Sequence, residues 1–330
     1  MDIDIKENDI LRQSPELLDL LLKDHTTQEH IFWATDDYKD LGEGYQYGDC
    51  IATDKITGDK GLVVQPRVLK SKEAQAQRIK EKAEVFTPSW VCNAQNNLVD
   101  DAWFGRKGGF NHEMTNPDGS HTWEATEDKI QFPDEKGKSW KDYVAELRME
   151  ITCGEAPYLV SRYDTTTGET IPIHRRIGLL DRKLRVVGEN TDNTTDWMLW
   201  AKTALRATYG YEWQGDNLLL ARESLFYSFM DYYREKFGKE VPANSLKGAA
   251  YIISWNLWQM DGLTFGLPGY TPREADLWGE PEPRDRYCVI KDFIGDKKVN
   301  GENFSDKNFH DKTAKKIPFH SLVHTKGKKK

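Results

Sequence analysis

Apolar positions along the chain fall into stretches of helical spacing separated by short β-prone runs. Leu11, Leu17, Leu18, Leu20, Leu21 and Leu22 predict an amphipathic helix over residues 7–23. Residues 26–48 are aromatic and acidic, and predict loop or short strand. Residues 50–69 predict a hairpin around Thr57-Gly58-Asp59-Lys60-Gly61, with Leu62-Val63-Val64 as its returning strand. A charged helix follows over residues 70–82, and Thr87-Pro88-Ser89 opens another over residues 89–100. Residues 105–140, rich in Gly, Asn, Asp, Pro and Lys, have little periodicity and predict a surface insertion.

The second half alternates more cleanly. Arg148-Met149 predicts a strand, residues 177–187 and 196–207 two helices, and Ala207-Thr208-Tyr209-Gly210-Tyr211-Glu212 a strand ending in an acid. A long helix spans residues 216–237, with Leu218, Leu219, Ala221, Leu225, Phe226 and Phe229 as its apolar stripe. Residues 249–260 predict a helix that is apolar almost all round, buried or covered by a partner. Tyr287-Cys288-Val289-Ile290-Lys291-Asp292-Phe293 predicts an apolar strand ending in Asp292. Strands alternating with helices predict an α/β fold. A small N-terminal α/β cap over residues 1–70 precedes the main domain at 71–323, and a basic tail occupies 324–330.

Composition narrows the function. The 330 residues carry a net charge of −8, which is poorly suited to holding DNA phosphates unaided, because non-specific affinity for DNA comes from clustered Lys and Arg. The basic residues of 70–82 alternate with Glu73 and Glu81, so a solvated face accounts for them. Eleven Trp and 12% aromatic residues supply core and interface before they supply stacking platforms for bases. Cys50, Cys92, Cys153 and Cys288 form no Cys-x-x-Cys pair, which argues against a zinc site and a disulfide framework and for a reducing compartment. No apolar run approaches a membrane span and the N-terminus is no signal peptide, so a cytoplasmic location is expected. Walker, Gly-x-Ser-x-Gly and Ser-x-x-Lys motifs are absent.

The densest chemical signal is Glu150-Ile151-Thr152-Cys153-Gly154-Glu155-Ala156-Pro157-Tyr158-Leu159. An acid at a strand end, a glycine four residues on and a following helix start suit a backbone that approaches a nucleotide cofactor closely. This stretch resembles the cofactor motif of the DNA adenine-N6 methyltransferases of restriction–modification systems, Asp/Glu-Pro-x-Cys-Gly-x-Gly-x-Phe-Leu. Ile151 stands in place of the motif's Pro and Ala156 in place of its second Gly. Upstream, Ala83-Glu84-Val85-Phe86-Thr87-Pro88-Ser89-Trp90 resembles the Phe-Thr-Pro motif of the same family, although Thr-Pro-Ser-Trp is also an ordinary helix start.

The resemblance implies a Rossmann-like, doubly wound and mainly parallel sheet that binds S-adenosylmethionine through Phe86, Thr87, Pro88, Glu150, Thr152, Cys153, Gly154, Ala156 and Tyr158. Glu212 would accept from the ribose hydroxyls, and Asp292 would lie against the adenine ring. Asp216 and Asp261 are alternatives for the ribose, and an N-cap is the plain account of Asp216. The family's catalytic Asn/Asp-Pro-Pro-Tyr/Phe loop has no counterpart, since the chain contains no Pro-Pro dipeptide. Thr115-Asn116-Pro117-Asp118-Gly119 and Leu267-Pro268-Gly269-Tyr270 are the nearest strings. The expectation is a cofactor-binding subunit, similar to restriction endonuclease subunit M, whose partner supplies the catalytic loop and contacts double-stranded DNA. A non-catalytic scaffold of a DNA-defence complex is the alternative.

Overall fold

The computed structural model describes residues 3–72, 75, 87–276, 279–293 and 314–324. Phe86, most of the helix expected over 70–82, and the basic tail beyond His324 lie outside the described residues.

The N-terminal apolar stretch forms two helices, α1 (Glu7–Gln13) and α2 (Pro15–Leu22). The break is at Ser14, which is extended at φ −169°, and Pro15 then opens α2, where a missing N–H costs nothing. In place of the expected hairpin at 57–64 there is a short helix, α3 (Thr53–Ile56), followed by a 3₁₀ turn over Gly58–Lys60. Ile56 and Val64 are buried while Leu62 is exposed, so no strand pair forms there. Helix α4 (Ser89–Phe104) ends on left-handed Gly105. The antiparallel hairpin β1 (Asn111–Thr115) and β2 (His121–Ala125) follows. Phe110, Trp123 and Ile130 anchor the segment expected as an insertion by burying their side chains.

Helix α5 (Trp140–Ala145) starts on a Ser139/Asp142 capping box and leads into β3 (Arg148–Ile151). Helices α6 (Leu179–Asn190) and α7 (Thr194–Arg206) cross to β4 (Thr208–Glu212). Helices α8 (Gly215–Phe237) and α9 (Ala243–Asn256) cross to β5 (Leu257–Gln259). The three strands form one parallel sheet in the order β3-β4-β5. The chain is therefore mixed α/β with a three-stranded parallel sheet.

The two faces of this sheet differ. Glu150, Gly210, Glu212, Leu257 and Gln259 share one face by register, and Leu257 joins the large core built by α1, α2 and α5–α9. Met149, Ile151, Tyr209, Tyr211 and Trp258 share the other. There, Tyr209, Tyr211 and Trp258 enter a smaller cluster with Phe32, Cys288, Ile290 and Phe319. That cluster is roofed by a second ribbon, β6 (Val289–Asp292) paired antiparallel with β7 (Lys315–Pro318), ahead of a last short helix, α10 (His320–His324).

Two expectations are corrected. The apolar helix expected over 249–260 ends at Asn256, and Leu257-Trp258-Gln259 is a buried strand instead. A short run buried on both faces carries no period that separates strand from helix. Helix α9 is covered within the chain by α2, α7 and α8, so it presents no broad apolar surface to a partner. The strand carrying Asp292 does not extend the parallel sheet, because β6 pairs with β7 and sets Asp292 opposite Lys315.

Candidate functional site

A cleft of about 670 Å³ opens at the C-terminal ends of β3 and β4. It gathers Thr87, Glu150, Thr152, Cys153, Gly154, Tyr158 and Glu212 from three separated stretches of sequence. The turn after β3 is shaped by left-handed backbone at Thr152 (φ 51°), Gly154 (φ 54°) and Ala156 (φ 62°). Three such residues within five bend the chain sharply. The Cys153 amide donates to the Tyr211 carbonyl at 2.8 Å and the Ala156 amide to the Cys153 carbonyl at 2.7 Å, which fix the turn to β4 and to itself.

Two carboxylates organise the turn. Glu150 Oε1 accepts from the Tyr158 amide at 3.4 Å, and Oε2 from the Leu159 amide at 3.2 Å. Glu212 Oε2 accepts from the Gly154 amide at 2.8 Å, and Oε1 from the Gln214 amide at 3.3 Å. Burial raises the Glu150 carboxyl well above the usual carboxylate range, opposed by its two amide donors and reinforced by the negative Glu212. Burial likewise raises the Cys153 thiol, so it is a packed neutral group rather than a nucleophile. Burial also raises Glu155, which accepts from the Arg67 amide at 2.7 Å and from the Tyr163 hydroxyl.

The helix expected directly behind this turn is absent. Residues 152–163 are turns, and α6 begins only at Leu179, where the Leu179 and Leu180 amides donate to the Tyr158 and Leu159 carbonyls at 2.8 Å each. Those helix-end donors are therefore spent on the turn itself. Gly178 allows this approach, since a Cβ there would lie 2.3 Å from the Leu159 carbonyl oxygen. From the opposite side, Asn96 of α4 donates to the Tyr158 carbonyl at 2.9 Å. Within the chain itself, a Cβ at Gly154 meets nothing within 4 Å. The constraint at Gly154 is its positive φ.

The other expected residues divide as follows. Pro88 caps α4 beside Thr87, whose carbonyl accepts from the Thr165 hydroxyl at 2.9 Å. Ala156 is fully buried beneath the turn. Asp292 is outside the cleft lining, and so are both alternatives to Glu212. Asp216 is not the N-cap, which is Gln214; it lies buried in the first turn of α8 and accepts from the Tyr38 hydroxyl at 2.6 Å and from Lys70 Nζ at 3.3 Å. Asp261 accepts from the Leu263 amide at 2.8 Å and the Thr264 hydroxyl at 2.9 Å. Both strings closest to a catalytic loop also lie outside the cleft, Asn116–Gly119 being the turn that joins β1 to β2.

Several lining residues were not expected. Trp213, Gln214 and Asn217 follow Glu212 directly and are the part that proximity to the acid could have indicated. Ala34, Tyr47 and Arg67 arrive from the N-terminal cap, with no local signal in the sequence. Gln259 joins that cap to the sheet: Oε1 accepts from the Phe32 amide at 3.1 Å, and Nε2 donates to the Phe32 and Trp213 carbonyls at 2.8 and 2.9 Å.

Among the described residues no cluster of three or more His, Cys, Asp and Glu side chains is placed to hold a metal ion, and no helix is long and apolar enough to cross a membrane. No family model, curated protein or solved structure matches the chain.

Proposed function

We propose that the cleft binds S-adenosylmethionine and that the chain is the cofactor-binding subunit of an adenine-N6 DNA methyltransferase of a restriction–modification system. The observation that carries this is the meeting of Gly154 and Glu212 at 2.8 Å across the C-terminal ends of two adjacent parallel strands. Open parallel sheets bind nucleotide-like ligands at that end, with a strand-end carboxylate accepting from ribose hydroxyls. Within this reading β3, β4 and β5 form one side of a Rossmann-like, doubly wound sheet.

The donor set suits the ligand. Burial raises Glu150 and Glu155, so Glu212 is the acidic member of the cleft lining and Arg67 the basic one, and the ligand carries a sulfonium and an ammonium. A carboxylate oxygen accepts more than one donor, so Glu212 can hold its backbone amides and ribose hydroxyls together. When bound, S-adenosylmethionine supplies an already activated methyl group. The chain's own task is to orient it and exclude water, and no strong general base is required of these residues. Reception of the target adenine, by hydrogen bonds to its amine and stacking on its flipped ring, falls to a partner bearing Asn-Pro-Pro-Tyr/Phe.

A scaffold role in a DNA-defence complex is favoured by one observation: Ala156 occupies a left-handed, fully buried position where the resembling motif has glycine. Titration calorimetry separates the two. Binding of S-adenosylmethionine, weakened about 10- to 100-fold by Glu212→Ala, is expected from the loss of hydroxyl acceptors worth about 1–3 kcal/mol. Absence of heat at millimolar cofactor would overturn the cofactor assignment in favour of the scaffold.

A further inference from the structure

Among the described residues, the cleft lies at the end of an outermost strand. Nucleotide-type ligands in open parallel sheets sit at a switch point, where strands continue on both sides of the strand that carries the binding turn. Here β4 and β5 lie on one side of β3, and among the described residues no strand lies on the other. Among the described residues the crevice therefore has one of its two strand walls.

The open edge of β3 has the features of an unfilled pairing site. The Arg148 amide donates to the Ala207 carbonyl, so by the alternation of a parallel ladder Arg148 and Glu150 turn toward β4. Met149 and Ile151 turn their N–H groups outward. The same residues expose their side chains: Leu147 is 57%, Met149 39% and Ile151 66% exposed. Met149 and Ile151 share one sheet face and continue the apolar face formed by Tyr209, Tyr211 and Trp258, which Phe319 and the β6–β7 ribbon cover, and Leu147 precedes the strand at the next alternate position. Protected edges usually carry Lys, Pro or a bulge, and β3 instead carries an uncharged stripe of alternate apolar residues.

We propose that this edge receives a parallel β-strand from a basic partner chain, with apolar side chains at alternate positions covering Leu147, Met149 and Ile151. The added strand would end beside Thr152 and Gly154, so that a loop following it closes the second wall of the cleft. The partner's charge follows from complementarity: the chain carries −8, while DNA phosphates require clustered Lys and Arg. The identity of the partner as the chain bearing Asn-Pro-Pro-Tyr/Phe rests on the function proposed above; the location of the docking edge does not.

The test uses the full chain co-expressed with a protein bearing Asn-Pro-Pro-Tyr. Amide hydrogen exchange is followed residue by residue. In the chain alone, the Arg148 and Glu150 amides should be protected and those of Met149 and Ile151 should exchange freely. In the complex the latter pair should slow by at least about tenfold. Ile151→Lys, a change at an exposed side chain outside the cleft lining, should weaken association by about tenfold or more and leave cofactor heats of the isolated chain unchanged.

Association without new protection at Met149 and Ile151, or association indifferent to Ile151→Lys, would overturn the edge proposal even if the chain binds cofactor. Protection at this edge in a chain that gives no cofactor heat would uphold the docking edge and overturn the cofactor assignment. Protection that grows with the concentration of the chain alone, and is lost in Ile151→Lys, would replace the partner by a second copy.

Discussion

Glu212 accepts the Gly154 amide at 2.8 Å, so the acid that ends β4 also holds the turn that follows β3. Its removal therefore reaches the fold as well as the proposed cofactor. Glu212→Ala is expected to destabilise the protein by about 1–3 kcal/mol, because the Gly154 and Gln214 amides lose their acceptor in a largely buried place. Urea denaturation without cofactor checks this. An unchanged midpoint would mean that the turn is held without the carboxylate.

Gly154 sits at φ 54° with open space where a Cβ would be. Gly154→Val is expected to cost about 1–3 kcal/mol through backbone strain alone, whereas Gly154→Asn, which tolerates this region, should cost less. Thermal melts of the two variants provide the comparison. Equal losses would point to a steric cause.

Asp100 is a third point of leverage, beneath the site. Its carboxylate accepts from Arg182 at 2.7 Å and from the Tyr143 hydroxyl at 2.9 and 3.0 Å, in a setting where Arg182 and Asp100 are both buried. Arg182 also donates to Asn93 and Asn97 of α4, so this network joins α4, α5 and α6 behind the turn. Asp100→Ala should cost about 3–5 kcal/mol, the penalty for stranding a buried guanidinium. Chemical denaturation measures it, and a loss below about 1 kcal/mol would show that Arg182 finds another acceptor.

How far the sequence foretold this arrangement depended on distance along the chain. Glu150 and Gly154 are local to one strand and turn, and Glu212 ends a β-prone run, so each could be named from a few neighbouring residues. The helices at 179–190, 194–206 and 215–237 declared themselves by period and length. Leu257-Trp258-Gln259 did not, since three residues buried on both faces have no periodicity. Ala34, Tyr47 and Arg67 were illegible because tertiary contacts alone, such as the Gln259 bonds to Phe32, bring the cap to the cleft. The strand of Asp292 could not be placed from sequence, because an acid after an apolar run looks the same in a parallel sheet and in a two-stranded ribbon.

The last prediction concerns Glu7 of α1 and Glu223 of α8, two buried carboxyl groups, one on the first helix and one on the longest. Burial is the main cause that raises both, and each is reinforced by the other's neighbourhood of like charge: Asp4 acts on Glu7, and Glu7 and Asp4 act on Glu223. Lys6 opposes the rise at Glu7 and Arg162 the rise at Glu223, both more weakly than burial. Glu7 is pushed up to about 8 from an ordinary value of 4.5, so the folded state holds a proton that the unfolded state releases. A group raised on folding contributes stability that is full below its unfolded value and is lost as pH rises through its folded one. Stability should therefore decline between about pH 5 and pH 8, by an amount on the order of a few kcal/mol. Glu7→Gln keeps the shape of the side chain and removes the titration. It should melt close to the parent at pH 5 and above it at pH 8.5, while Glu7→Asp should retain the pH dependence. Melting curves of the three proteins across this range decide it: a constant offset between parent and Glu7→Gln at every pH would place the proton elsewhere.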